Sequence, residues 1–315
     1  MVKLIVMIPA YNEENTITKV IKEIPRKISG IDKVEVLVMD DGSKDKTIEA
    51  AKNADYVISN NRNMGLGKTF KKGIEQALKL KADIIVNIDG DGQFDPKDIP
   101  KLVAPILSDD YDMVTATRFA NKEYAKNVPF LKRIGNKGFT SLVSSITGQK
   151  FTDTQCGFRA YSREAALRLN TYGKFTYTQE VFIDLVSKDM RIKEIPLHVK
   201  YFKERKSKIS GKLVGYGFKS LGIIANAFRD TKPLDFFGKP GFLIFGLGVL
   251  GGLVSFFYYI THLLTTPIKT LFNVSIFFMT FGLLLIIFGL LADMMRRIKL
   301  TQEEILYKQK VKEFN

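Results

Sequence analysis

The 315-residue sequence has no tryptophan and one cysteine, Cys156. A single thiol forms neither an intrachain disulfide nor a thiolate metal site, which excludes disulfide-stapled secreted scaffolds and zinc modules. Acidic residues are in the minority, 33 against 48 Lys and Arg, for a net charge of +15. That balance points to polyanionic partners: nucleic acid, an anionic bilayer or phosphorylated ligands. With 45% apolar and 26% charged residues, the composition is globular, so a disordered or collagen-like chain is excluded. The length fits one large or two small domains.

Charge is missing from two stretches, residues 241–264 and 271–292, which contain no Asp, Glu, Lys or Arg. At about 1.5 Å per residue each run crosses the roughly 30 Å hydrocarbon layer of a bilayer. The short link between them, with Pro267 and Lys269, allows only a tight connection, so the pair is expected to be a transmembrane helical hairpin. Lys232 and Lys239 precede it and Arg296, Arg297 and Lys299 follow it, against Lys269 in the link. The positive-inside tendency then places both flanks in the cytoplasm of a multi-pass cell-membrane protein. No signal peptide is expected, since the sequence enters a strand after one Lys.

The remainder alternates between two periodicities. Residues 3–8, 34–40, 56–59, 84–89 and 113–117 are strand-like, and the first four are followed by a turn and a helical stretch. That order predicts an α/β domain with a mostly parallel sheet, in which ligands bind beyond the carboxyl ends of the strands. The segments there are Pro9-Ala10-Tyr11-Asn12-Glu13-Glu14, Asp40-Asp41-Gly42-Ser43, Asn63-Met64-Gly65-Leu66-Gly67-Lys68 and Asp89-Gly90-Asp91-Gly92-Gln93.

Generic nucleotide and metal motifs fail on these residues. A phosphate loop ending at Gly67-Lys68-Thr69 needs Gly at Arg62, and a dinucleotide fingerprint from Gly65 needs Gly at Phe70. An EF-hand loop from Asp89 needs Gly at Phe94. What remains is Asp-x-Asp at a strand end: two carboxylates able to share one hard cation with phosphate oxygens, although Asp and Gly also mark ordinary turns.

Taken together and in order, these segments resemble the family 2 inverting glycosyltransferases of the GT-A fold, a Rossmann-like nucleotide-sugar-binding architecture. Within them the chain is similar to the polyprenyl-phosphate glycosyltransferases, the group of dolichyl-phosphate mannose and glucose synthases. The likeness covers roughly residues 3–210. It implies a nucleotide pocket of Pro9, Ala10, Tyr11, Asn12, Glu13, Asp41, Gly65, Gly67, Lys68 and Gly90, with Asp41 accepting from the base. It also implies that Asp89, Asp91 and Gln93 hold Mg2+ or Mn2+ on the donor diphosphate. Arg118 and Arg133 would lie near the acceptor phosphate, Asp153, Gln155 and Arg159 on the sugar side, and Glu180 on a helix facing the donor sugar. Arg205, Ser207 and Lys208 match a basic run closing over the diphosphate, here without the Gly that often follows its Arg.

The sequence is expected to divide into a cytoplasmic catalytic domain over 1–211, amphipathic juxtamembrane helices over 212–238, the membrane hairpin within 239–295 (spans about 241–264 and 271–292), and a charged cytoplasmic tail over 296–315. The expected partners are a nucleotide sugar (UDP favoured, GDP possible), a polyprenyl or dolichyl phosphate, the bilayer and further copies of the chain; no nucleic acid is expected. The expected product is a lipid-phosphate-linked sugar for glycan assembly. A phosphate monoester acceptor is already anionic at neutral pH, so in-line displacement with inversion needs no dedicated base, whether Glu180 or Asp184. Three alternatives stay open: a processive polysaccharide synthase, disfavoured by the missing Trp, a transferase to another membrane lipid such as diacylglycerol, and an inactive nucleotide-sugar-binding scaffold. Residues 121–128 read as an acceptor loop.

Overall fold

The computed structural model describes residues 1–121, 128, 130–171, 177–200, 213–264 and 266–314. They divide into two compact units, residues 1–224 with 305–315, and residues 225–304.

In the first unit the chain runs β1 (Lys3–Ala10), α1 (Ile17–Glu23), β2 (Lys33–Asp40), α2 (Thr47–Ala50), β3 (Tyr56–Ser59), α3 (Leu66–Lys79), β4 (Ile84–Asn87) and α4 (Ile99–Leu107). It continues through β5 (Met113–Thr117), α5 (Phe130–Thr147), β6 (Arg159–Ser162), α6 (Arg163–Arg168), α7 (Thr178–Val186) and β7 (Ile192–Pro196). The strands form one seven-stranded sheet in the order β3-β2-β1-β4-β6-β5-β7. All pairs are parallel except those of β6, which runs antiparallel to both β4 and β5.

The central strands are unbroken apolar runs because both faces of the sheet are covered. Leu4 to Ile8 of β1 and Val36 to Val38 of β2 are fully buried. On α3, Phe70, Ile74, Ala77 and Leu78 recur at helical spacing and face the core. Gly73 of α3 lies directly over the Met7 side chain, so this helix sits close against β1.

Register aligns the strand ends. Ala10 pairs with Asp40, and Asp40 with Ser59. Arg159, the first residue of β6, pairs with both Asn87 and Thr115. The antiparallel strand therefore brings its beginning to the edge where β1, β2, β4 and β5 end. Neither β6 nor β7 was marked among the strand-like runs of the sequence.

The remaining helices are α8 (Leu213–Thr231), α9 (Lys239–His262) and α10 (Lys269–Phe314). The segments Leu234–His262 and Lys269–Phe314 are long and apolar enough to cross a membrane. Within the second unit, α9 and α10 approach at small residues. A Cβ at Gly248 would stand 2.6 Å from the Met279 amide nitrogen, and one at Gly241 2.9 Å from the Gly282 carbonyl. Such contact between backbones is how apolar helices associate where water supplies no driving force. The second helix does not stop at residue 292; α10 runs through the charged tail for 46 residues in all.

Candidate active site

The loops after β1 and β2 are fastened to each other. The Asn12 amide donates to Ser43 Oγ (2.9 Å), the Lys44 amide to Asn12 Oδ1 (2.8 Å) and the Glu13 amide to Thr47 Oγ1 (2.7 Å). Asn12 adopts φ 54°, a left-handed geometry that Asn tolerates better than most residues. Thr16 Oγ1 then donates to the Gly90 carbonyl at 2.8 Å, joining the first loop to the Asp-x-Asp turn.

The Asp41 carboxylate accepts from the Met64 amide (2.8 Å), Thr69 Oγ1 (2.8 Å) and Asn60 Nδ2 (3.2 Å) at Oδ1 and from the Gly65 amide (3.0 Å) at Oδ2. Oδ2 keeps acceptor capacity beyond that one donor. Asp41 braces the start of α3 and so fixes the 63–65 turn, where Gly65 supplies φ 90°. Gly67 is buried and Lys68 exposed just beyond it.

Asp89 and Asp91 follow β4. Burial first, and then the charges of Asp91 and Glu13, push the Asp89 carboxyl up to about 7, against the opposing pull of Arg118 and Arg159. Asp89 thus sits in the field of two further carboxylates, which a nearby divalent cation would offset. Among the described residues no three His, Cys, Asp or Glu side chains are grouped to hold a metal ion, so an ion beside Asp89 and Asp91 would take most of its shell from its ligand. Space is kept beside Asp89: a Cβ at Gly157 would lie 3.0 Å from Asp89 Oδ2. The residues present therefore fit a diphosphate-bound cation. Gln93 closes the turn, its backbone amide donating to Asp91 Oδ1 (3.0 Å) and its carbonyl accepting from the Lys200 amide (2.9 Å).

Arg118, at the end of β5, is gripped by fully buried Asp153 in a two-point pair, Nε to Oδ2 at 2.6 Å and Nη2 to Oδ1 at 2.8 Å. Glu194 of β7 holds the Asp153 backbone in turn, accepting from the Asp153 and Thr152 amides, each at 2.8 Å. Burial pushes the Glu194 carboxyl up, against the pull of those amides. The Gln155 amide also donates to Asp153 (3.2 Å). Arg159, assigned to the sugar side, is fully buried; its Nη2 ties the Thr154 carbonyl (3.2 Å) to that of Thr178 (2.9 Å), and it lies 4.7 Å from the Phe182 ring. Its place is under the site, locking the 153–158 loop to the first residue of α7.

Glu180 is partly exposed in the first turn of α7. Asp184, one turn on, accepts from the Asn170 amide (3.0 Å) and Lys188 Nζ (2.7 Å). Arg133 is exposed on α5. Arg205, Ser207, Lys208 and most of the 121–128 segment lie outside the described residues. Sequence reasoning missed Asn87, whose Nδ2 donates to the Gly157 carbonyl (2.7 Å) and Tyr177 Oη (2.9 Å), and Tyr177, stacked on Phe70 at 3.7 Å. It also missed the roles of Gly157 and Glu194. Only the neighbouring Phe-Arg motif hints at Gly157; the others stand in no motif.

The profile of glycosyl transferase family 2 matches residues 5–169. The UDP-N-acetylglucosamine–dolichyl-phosphate N-acetylglucosaminyltransferase of Methanococcus voltae is 30% identical over 231 residues, covering 67% of this chain and 90% of that protein. Glycosyltransferase AglJ of Haloferax volcanii is 27% identical over 290 residues, 92% of each chain. Among solved structures, glucosyl-3-phosphoglycerate synthase from Mycobacterium tuberculosis, in complex with Mn2+, UDP and phosphoglyceric acid, superposes with a TM-score of 0.53 at 23% identity. The match covers 72% of this chain and 77% of that one, and it shows a shared GT-A fold.

Proposed function

Because the chain belongs to glycosyl transferase family 2, we propose that it moves a monosaccharide from a nucleotide sugar to a polyprenyl phosphate, giving a lipid-phosphate-linked sugar. One observation carries the reading: a carboxylate-lined strand edge suited to a metal diphosphate and faced by a pinned arginine, in a chain that also has two helices able to cross a membrane. The named activity of the M. voltae relative favours UDP over GDP and a dolichyl-type lipid.

In this reading Asp89 and Asp91, with Gln93, would hold Mg2+ or Mn2+, which when bound would supply charge neutralisation to the departing diphosphate. The fastened 11–16 and 41–47 loops and the Asp41-braced 63–65 turn shape the nucleotide pocket in advance, which spares ordering cost on binding. Arg118, held by Asp153, sets a fixed positive charge against the acceptor phosphate. The acceptor attacks without losing a proton, and Asp184 is already engaged by Lys188 and the Asn170 amide. Flanking lysines and arginines favour a cytoplasmic catalytic unit, and the small two-helix hairpin favours self-association.

The test incubates detergent-purified protein with Mn2+, a polyprenyl phosphate and a panel of UDP- and GDP-sugars, reading glycosylated lipid by mass spectrometry. A lipid-phosphate sugar supports the assignment and identifies the donor. Nucleoside diphosphate release without that product overturns the acceptor, and absence of turnover with every donor overturns the transferase reading.

A further inference from the structure

Residues 305–315 belong with the catalytic unit although they continue the second apolar helix without a break. Three residues on one face of α10 hold them there. Tyr307 Oη donates to Glu164 Oε2 of α6 at 2.9 Å, and the Arg168 guanidinium, itself bound to Glu164, lies 4.1 Å from the Tyr307 ring. Lys310 Nζ donates to the carbonyls of Leu167 and Leu169, both at 3.1 Å, and to Asn170 Oδ1 at 3.0 Å. The ammonium spends all three protons on the last turn of α6 and its exit, where unpaired carbonyls and the helix dipole favour a cation. Finally Arg163 Nη2 donates to the carbonyl of buried Phe314 at 2.8 Å.

This contact leads to α7 by two routes. Asn170, held by Lys310 through its side chain, donates its backbone amide to Asp184 of α7 at 3.0 Å. Lys188, which follows α7, bridges Asp184 (2.7 Å) and the Arg168 carbonyl (2.7 Å). Residues 167–170 are thus held by α10 on one side and by α7 on the other, and Glu180 stands one turn before Asp184. The second route passes through a small cleft lined by Lys310, Leu169 and Ala166 together with Phe70, Ile74 and Leu78 of α3. Phe70 stacks on Tyr177, the residue just before α7.

We propose that residues 305–314 form an intramolecular strap that fixes α7, and with it Glu180, at the donor site, and that Lys310 is a positioning residue of the transfer reaction. A tail serving only as a solvated flank would have no cause to bury an ammonium against three oxygens, since desolvating a charge is costly unless its bonds are made. The strap is the last stretch of α10, whose earlier part is long and apolar enough to cross a membrane. The kinetic part of the inference rests on the transferase reading; the structural part does not.

The test compares full-length wild type, Lys310→Met, Lys310→Arg and Tyr307→Phe in detergent. Two quantities are read: hydrogen exchange of the Asn170 and 178–186 amides, and the donor KM and kcat. Lys310→Met is expected to speed exchange there while β1 and β2 stay protected, and to raise donor KM roughly 2- to 30-fold, the span of coupling through packed networks, with kcat little changed. Lys310→Arg, which keeps cationic donors, is expected to restore most of both. Tyr307→Phe removes one hydroxyl and is expected to shift both readouts in the same direction by less; it decides the matter if Lys310→Met fails to fold. Unchanged exchange at Asn170 and α7 overturns the strap, and faster exchange with an unchanged donor KM overturns its link to the donor site. A wild type that transfers no sugar refutes the proposed function instead, and exchange alone then judges the strap.

Discussion

Replacing Gly157 by alanine tests the metal site with one methyl group. Gly157 has no positive φ, so its backbone accepts a side chain without strain. The added Cβ would stand 3.0 Å from Asp89 Oδ2, 3.2 Å from Oδ1 and 3.4 Å from Cγ. The loop has little freedom to retreat, because the Gly157 carbonyl is held by Asn87 Nδ2 at 2.7 Å. Asp89 must therefore give way by a few tenths of an ångström, while metal–oxygen distances tolerate only about 0.2 Å. Misorienting a ligand in this way weakens metal binding roughly 10- to 100-fold, which is about 1.4–2.7 kcal/mol. The assay is Mn2+ titration of the full-length protein followed by electron paramagnetic resonance, with a thermal melt beside it. Gly157→Ala is expected to lose Mn2+ affinity by that factor while the melt falls by no more than moderate overpacking explains, about 1–3 kcal/mol. A folded variant that binds Mn2+ as tightly as the wild type would show that Asp89 is not a ligand.

The raised Asp89 carboxyl gives a pH dependence of defined sign. It holds its proton to about pH 7 in the metal-free folded chain but only to roughly pH 4 in the unfolded one. This group's contribution to metal-free stability is therefore full below about pH 4 and lost as pH rises to about 7. A metal must displace the proton, so Mn2+ affinity should climb as pH rises to about 7 and then level off; an affinity that does not vary with pH below that point would contradict the assignment. Asp153→Ala leaves Arg118 without its two-point partner and should cost roughly 3 kcal/mol in denaturant unfolding, with turnover falling as well; full activity would separate Arg118 from the chemistry. Gly248→Leu places a side chain where the Met279 amide lies 2.6 Å from the first added atom, so the α9–α10 pair should part and melt earlier in detergent, and an unshifted melt would refute close helix packing.

How much was legible in the sequence depended on range. Strands β1 to β5 announced themselves because each is an apolar run, and in the first four a polar turn follows. The Asp-x-Asp carboxylates were singled out because they stand at a strand end, where this architecture places ligands, and Arg118 because of the resemblance. The strand β6, Arg159–Ser162, carries no such signal, and its antiparallel direction comes from pairing with β4 and β5, which no local pattern records. The bracing of α3 by Asp41 was not legible, because its four donors lie 19 to 28 residues onward and converge only in the fold. The docking of Lys310 left no trace for a related reason: two of its three partners are backbone carbonyls, which every sequence contains.

The antiparallel insertion of β6 has a consequence for the order of events during synthesis. Strands β1 to β3 pair among near neighbours in the chain, so the loops after β1 and β2 can fasten as soon as that stretch leaves the ribosome. The floor beneath Asp89 waits for Gly157, 70 residues beyond Asn87, and closing a loop of that length is slow because its entropy must be met before any contact rewards it. A nascent chain halted ahead of β6 thus has its first two loops fastened and lacks the Asn87–Gly157 contact beneath Asp89. That floor is completed late in translation, after β1 to β3 have emerged and before the apolar helices do.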